Sequence, residues 1–544
     1  MDPTESETIS MTGNLSDGSR ESPSSSDSPM DSDRSGKARG HNPDVYGGGK
    51  SDKSIVPEKS TNKEQSAESM EGRDSTFENA VETQPVRAQT RKDGRPLLPG
   101  SRGLSGIRQA AIRDKSLKFN NLYHHLTLDL LKASFLDLKR HAAPGVDDVI
   151  WPQYAIDYEE RLVDLHQRIH RGSYRAQPSK RAYIAKADGK QRPLGIAALE
   201  DKIVQAAVRT ILEQIYEVDF KDFSYGYRPH RGAHDGLDEV YVEIKHGKVN
   251  WILDADIRGF FDNIDHTWMM KFLEHRVTDW RILRLVKKWL TAGVSEDGKW
   301  SKTTVGTPQG SVISPLLANI YLHYVLDLWV EHWKRTKGRG HMFLVRYADD
   351  FVVGFQLEAT GQQFLADLKE RMAKFGLDLH PEKTRLIEFG RFAESNRKRK
   401  GSDRPETFDC LGFTHICGRT RKGHFQLERR TAKKKFQAKL EAIKQELRRE
   451  IHKDIRDTGK WLKSVYDGWC RYYAVPGNYL CLSRFQDALQ TAWLRLLRRR
   501  SQRGKKLTWG KFTAICNRWL PNPRILHPYP EGRRARRLAV THLR

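Results

Sequence analysis

Apolar residues recur along the chain with two different periods, and the change from one to the other divides it. Leu117, Leu122, Leu126, Leu130, Leu131 and Phe135 follow a helical spacing, so ordered sequence is expected from near Ser116. From there to about Arg421, short apolar runs that read as strands alternate with amphipathic helices. Beyond Phe425 the pattern becomes helical. Phe436, Leu440, Ile443, Leu447 and Ile451 form one apolar stripe whose other faces are crowded with Lys, Arg and Glu. Trp461, Leu462, Val465, Trp469, Tyr472 and Tyr473 form a second stripe ahead of Pro476-Gly477, and a further helix runs to Arg498-Arg499-Arg500. Aromatics at this spacing serve either as core or as platforms on which bases stack, core being the commoner use. The stretch from Gly504, basic and with prolines at 521, 523, 528 and 530, reads as a small irregular module. At the other end, residues up to about Gly103 are rich in Ser, Gly, Asp, Glu and Pro, and their scattered apolar residues bury too little surface to fold alone.

Two segments carry acids where strands are expected. Trp251-Ile-Leu-Asp-Ala-Asp-Ile257 alternates, so a strand projects Asp254 and Asp256 from one face while Trp251, Leu253, Ala255 and Ile257 pack beneath. Gly259 then breaks the strand, and aromatic side chains follow. In Phe343-Leu-Val-Arg-Tyr-Ala-Asp-Asp-Phe-Val-Val353 two apolar runs meet at a pair of aspartates, which predicts a hairpin with its acids at the turn. Acidic turns are ordinary, since Asp hydrogen-bonds locally. Adjacent carboxylates between buried strands, however, repel one another and are better tolerated with cations between them.

Composition narrows the partners. The 544 residues are 38% hydrophobic and 30% charged, with a net charge of +26, and so many unmatched cations call for a polyanion, a nucleic acid by default. The first 100 residues hold 18 acidic against 13 basic side chains, so the basic charge belongs to the part expected to fold. No apolar run approaches the length of a membrane span, and the polar, serine-rich first thirty residues are unlike a signal peptide, so a cytoplasmic setting, bacterial or alternatively organellar, is expected. Cys410, Cys417, Cys470, Cys481 and Cys516 form no C-x-x-C pair, which fits reduced thiols. His166 and His170, spaced i, i+4, lack the Glu of a zincin motif and read as a solvated helix face.

These motifs resemble a known family. Tyr347-Ala-Asp-Asp350 is similar to the reverse transcriptase signature, and Asp256 with Phe261 five residues later resembles the matching first polymerase motif. Between them, Gly306-Thr-Pro-Gln-Gly-Ser311 and the helix that follows to Tyr321 resemble the loop-helix motif of the same palm. Ala143-Pro-Gly-Val-Asp147, Lys186-Ala-Asp-Gly-Lys-Gln-Arg-Pro-Leu-Gly-Ile196 and Phe223-Ser-Tyr-Gly-Tyr-Arg-Pro229 resemble the finger blocks of group II intron reverse transcriptases. Downstream, Gly376-Leu-Asp-Leu-His-Pro-Glu-Lys-Thr384 and Phe408-Asp-Cys-Leu-Gly-Phe413 resemble the last palm motifs, and Gly468-Trp-Cys-Arg-Tyr-Tyr473 resembles the aromatic motif of the maturase domain.

The resemblance implies an α+β right-hand polymerase followed by a helical thumb and maturase domain. It divides the chain into a tail (1–105), fingers and palm (106–424), thumb and maturase (425–503) and a basic DNA-binding segment (504–544). It implies RNA-directed DNA synthesis with two Mg2+ ions, Mn2+ being a possible substitute, held by Asp256, Ile257, Asp349 and Asp350, with Asp254 in a supporting role. Lys186 and Arg192, flanking an Asp188-Gly189 turn, would meet the triphosphate, and Gln309 would pack on the nascent base pair. Phe261 would be either a steric gate against the ribose 2′-hydroxyl or a core ring. Lys383 would stand near the leaving group or form a simple salt bridge. Arg498, Arg499, Arg500, Arg533 and Arg534 would contact nucleic acid. The implied partners are an intron RNA, whose splicing the protein would assist, a DNA target and deoxynucleoside triphosphates, with no membrane. No cysteine follows Cys516, so the family's zinc-supported H-N-H nuclease is not expected. Alternatives are a related enzyme serving defence or repair, or a splicing-only RNA-binding protein.

Overall fold

Helix begins earlier than the apolar spacing predicts. The computed structural model describes residues 101–185, 191–401 and 404–542, and its first helix, α1 (Ser101–Arg113), lies ahead of Ser116 and buries Ile107 and Ala111. The expected boundary at residue 105 therefore falls inside a helix. The Leu117–Phe135 stretch, in turn, is not one helix: a 3-10 turn spans Tyr123–His125, and α2 (Leu128–Asp137) starts where the Thr127 side chain accepts a hydrogen bond from Leu130 N–H. That cap ends the uncertainty of spacing, because it satisfies a donor the first turn leaves open.

Helices α3 (Tyr158–His170), α4 (Leu199–Asp219), α5 (Ala233–His246), α6 (His266–Glu274) and α7 (Trp280–Thr291) follow. Then α8 (Ser314–Leu322) continues through a π-helical turn, His323–Asp327, into α9 (Leu328–Thr336), and α10 (Glu358–Ala373) and α11 (Ala393–Arg399) complete this part. Three sheets are set among them. The first has the order β2-β1-β4-β5, from β1 (Ser179–Ala185), β2 (Gln191–Ile196), β4 (Val294–Glu296) and β5 (Lys299–Ser301). β1 and β2 are antiparallel, with Ala185 opposite Gln191, so they form the arms of the expected hairpin; its turn, Lys186 included, lies outside the described residues.

The central sheet has the order β6-β7-β3-β8, from β3 (Trp251–Ala255), β6 (Met342–Tyr347), β7 (Asp350–Phe355) and β8 (Arg385–Glu388), all antiparallel. Both its faces are covered. Leu253, Ala255, Leu344, Phe351 and Val353 pack into the main core, whereas Ile252, Val345, Val352 and Ile387 pack with Val240, Tyr241 and Ile244 of α5. Burial on two sides explains why β6 and β7 read as continuous apolar runs, and it makes Ile252 core where simple alternation placed it opposite the buried face. The third sheet, β11-β10-β9, comprises β9 (Phe408–Cys410), β10 (Phe413–Arg419) and β11 (Phe425–Thr431). The expected boundary near Phe425 is thus the start of a strand, and the helical region opens only at α12 (Lys433–Arg449).

After α12 come α13 (Ile455–Tyr473), α14 (Tyr479–Arg500), α15 (Trp509–Cys516) and α16 (Pro530–His542). The two predicted stripes do line a core: Ile443, Leu447, Leu462, Trp469 and Tyr473 are buried, and the Trp469 ring stacks on Phe485 with centroids 4.2 Å apart. Phe512, Cys516 and Leu520 belong to the same cluster. The segment after Gly504, expected to be irregular, is therefore partly helical and packed into the core of the preceding helices.

Candidate active site

Strand pairing brings the two acidic segments together. β3 and β7 run antiparallel with Ala255 opposite Phe351, so Asp256, the next residue along, comes beside Asp350, the first residue of β7. Tyr347 pairs with Asp350 across the β6–β7 hairpin, which leaves Ala348 and Asp349 as a two-residue turn. Such turns need a left-handed residue, and Ala348 supplies it at φ +55° although it has a Cβ. Gly226 lies directly behind: a Cβ there would stand 2.3 Å from the Ala348 nitrogen, so the turn rests on backbone at a spot only glycine permits.

The carboxylates act on one another. Loss of surrounding water raises the Asp349 carboxyl above its ordinary range, Asp256 adds to the rise, and Arg192 and Arg346 oppose it. Asp350 reaches solvent at the rim, yet the protein packed about its carboxyl, and then Asp349, Asp256 and Asp254, push it up to about 7. Asp254 is pushed up to about 6, chiefly by burial and then by Asp409 and Asp256, against the pull of Arg385, whose guanidinium is 3.9 Å away. Lys383 Nζ stands 2.5 Å from Asp256 Oδ2. Of the two readings of Lys383, the salt bridge is the one formed here.

Among the described residues no three His, Cys, Asp or Glu side chains are gathered closely enough to hold a metal ion as they stand. Lys383 draws the Asp256 carboxylate, and the remaining acids repel one another. The donor set still fits a divalent ion: hard oxygen donors whose shared difficulty is excess negative charge, which a cation between them relieves. Ile257 has a buried apolar side chain and could offer only its carbonyl oxygen.

The other expected residues fall at different distances from this centre. Arg192, on β2, is close enough for its charge to act on Asp349 and on Tyr227. Gln309 lies on the loop after β5, and its carbonyl accepts from Gly195 N–H of β2 at 2.7 Å, which joins the loop to the strand carrying Arg192. Phe261 is half-buried beside Phe260, with ring centroids 5.4 Å apart, and its carbonyl accepts from Thr307 N–H at 2.8 Å, which ties its backbone to the Gln309 loop. At the end of α14, Arg498 donates to Leu507 O (3.0 Å), Arg500 donates to His452 O (3.1 Å), and Arg499 is exposed. Arg533 and Arg534 meet carboxylates instead of open solvent: Arg533 Nε is 2.5 Å from Asp238 Oδ2, and Arg534 grips both Glu239 oxygens at 3.0 and 2.8 Å.

Sequence reasoning passed over three groups. Cys410 lies close enough to Asp350, Asp254 and Asp409 that, after burial, their charges raise its thiol further. Asp409 itself joins the acidic neighbourhood through the Phe408–Phe413 motif. Arg346, within an otherwise apolar run, is wholly buried and bonded to Asp327 and Asn319. A cation in a strand interior was the available signal, since a buried charge requires a partner somewhere in the fold.

Comparison with known proteins agrees with this geometry. A family profile for reverse transcriptase (RNA-dependent DNA polymerase) matches residues 184–415, which contain β3, the hairpin and the Gly306–Ser311 loop. The group II intron-encoded protein LtrA of Lactococcus lactis subsp. cremoris is 45% identical over 216 residues, 39% of this chain and 36% of LtrA. Protein YkfC of Escherichia coli is 34% identical over 277 residues, 45% of this chain and 72% of YkfC. An uncharacterized 91 kDa protein in a cob intron of Schizosaccharomyces pombe is 37% identical over 180 residues. The class is thus that of the reverse transcriptases. Within it, the chain belongs to the group II intron-encoded reverse transcriptase and maturase family. The match spans about a third of LtrA's length. Among the described residues no helix is long and apolar enough to cross a membrane.

Proposed function

We propose that this protein is an RNA-directed DNA polymerase of a mobile group II intron that also binds the intron RNA to assist splicing and copies it at a DNA target. The observation that carries the reading is the convergence of Asp256, Asp349 and Asp350 at one end of the central sheet, each of the last two raised by burial and then by its neighbours' charge. In this reading residues from α1 to β11 form fingers and palm, α12 to α14 form the thumb and maturase domain, and the segment after Gly504 completes it.

Asp256, Asp349 and Asp350, with the Ile257 carbonyl, would hold two divalent ions, Mg2+ or alternatively Mn2+, which supply an activated primer 3′-hydroxyl and neutralise charge at phosphorus. Arg192 and Lys186 would orient the triphosphate, Arg192 from a strand fixed to the Gln309 loop. Gln309 and Phe261 would bound the nascent base pair from one wall. Lys383, which pairs with Asp256, would stand near the leaving pyrophosphate. Nucleic acid affinity would come from cations that face outward, such as Arg499, more than from Arg533 and Arg534, which have carboxylate partners.

The test is primer extension on an RNA template together with binding of a group II intron RNA. Asp349→Asn combined with Asp350→Asn is expected to abolish synthesis while leaving RNA affinity within about threefold, because affinity arises from dispersed cations. Synthesis that survives in the double variant would overturn the assignment.

A further inference from the structure

Arg346 is bonded in a way that a buried ion pair alone does not require. It is fully buried on β6, and so is its partner Asp327, to which Nε and Nη2 donate at 2.8 and 2.5 Å. Those two bonds already satisfy the charge. The remaining arm, Nη1, donates to Asn319 Oδ1 and to the carbonyl of Ala348, both at 3.0 Å. The Asn319 amide in turn donates to Gly226 O at 2.7 Å, and Gly226 is the residue pressed against the Ala348 nitrogen. The circuit closes on the turn that carries Asp349.

Each member is brought there by a specific feature. Asp327 ends the π-helical turn His323–Asp327, a local widening of a kind that recurs at functional sites. Arg346 N–H donates to Phe223 O at 2.9 Å and its carbonyl accepts from Tyr225 N–H at 2.8 Å, which lays the Phe223–Gly226 segment along the hairpin. The planar guanidinium fork reaches four acceptor atoms on three residues in fixed directions, a task a lysine ammonium cannot perform.

We propose that Arg346, aimed by Asp327 and Asn319, is a positioning residue: it holds Ala348 in its left-handed conformation and thereby sets the direction in which Asp349 and Asp350 present their carboxylates. The inference rests on the polymerase reading for its kinetic consequence but not for its effect on metal binding. Two variants of the full chain separate position from stability. Arg346→Lys retains a positive charge for Asp327 and loses the reach to Ala348 O, and Asn319→Ala leaves the Arg346–Asp327 pair intact while removing one of the two acceptors that fix the arm gripping the turn.

Arg346→Lys is expected to lower kcat by about 10- to 100-fold with KM for the nucleotide changed less than about threefold, since small displacements of reacting groups act on the chemical step. Mn2+ binding, followed by electron paramagnetic resonance without nucleotide, should weaken about tenfold, and Asn319→Ala should move both readouts in the same direction by less. If Arg346→Lys does not fold, Asn319→Ala decides. Folded variants with kcat and Mn2+ affinity within about twofold of wild type, whatever their melting temperature, would make the network purely structural and overturn the proposal. Should the wild-type chain extend no primer, the polymerase reading fails and the Mn2+ titration alone judges the positioning claim.

Discussion

Phe261 shows how much a single side chain can say. Phe261 is half-buried, its ring lies beside that of Phe260, and its backbone carbonyl accepts from Thr307 N–H of the Gln309 loop. On the proposed polymerase reading, the ring would clash with a ribose 2′-hydroxyl. Phe261→Ala is therefore expected to raise the kcat/KM for ribonucleotides at least tenfold relative to deoxynucleotides, since discrimination by a clash is a difference between two affinities. A ring serving only as core would give another result: both substrates would suffer together, and the protein would lose up to about 3–5 kcal/mol. Matched nucleotide kinetics with a melting curve on the same variant distinguish the two. Asp256, Asp349, Asp350 and Phe261 could all be singled out in sequence because each belongs to a short motif. Lys383 had two readings in sequence, and the fold puts its ammonium 2.5 Å from Asp256.

At the level of elements, the most informative contact joins α16 to α5. Arg533 pairs with Asp238, Arg534 with Glu239 and Glu243, and Arg537 with Asp235 and Glu239, while Lys245 of α5 answers Glu531. Asp238 also receives Arg429 from β11, so helix, strand and terminal helix share one buried carboxylate. A double-mutant cycle of Arg534→Ala and Glu239→Ala is expected to give a coupling of about 1 kcal/mol at 0.1 M salt and less at 1 M, the bidentate geometry being favourable and the pair partly solvated. A coupling near zero at low salt would leave α16 held by its other contacts. The basic composition of this segment read as nucleic-acid contact. Charge sign was legible, but its destination was not, because the acids that meet these arginines lie some 295 positions earlier.

For the whole molecule, pH tests the cost of burying charge. Glu213 on α4 is pushed up to about 7, mainly by burial, with Glu217 and Asp137 adding to the rise and Arg209, 3.2 Å away, resisting it. An unfolded Glu titrates near 4.5, so the folded state binds the extra proton between about 4.5 and 7. Stability from this group is full below the unfolded value and is lost as pH rises through the folded one. Glu213→Gln should accordingly stabilise the protein at pH 8 by on the order of 1 kcal/mol, once the lost partner of Arg209 is set against the relief, and should change nothing near pH 4.5. Melting curves at the two pH values check it, and an equal shift at both would refute the assignment. By itself the sequence determined the change from mixed strands and helices to helices alone, the acidic segments of the candidate site and the basic character of the folded part, because periodicity, motif and charge are properties of neighbouring residues. It missed α1 and the helices after Gly504, where the apolar signal is sparse. Only the tertiary structure decided that Arg346 finds Asp327, that Gly226 seats Ala348 and that α16 closes on α5, because those partners are selected where distant segments of chain cross, and no local period records a crossing.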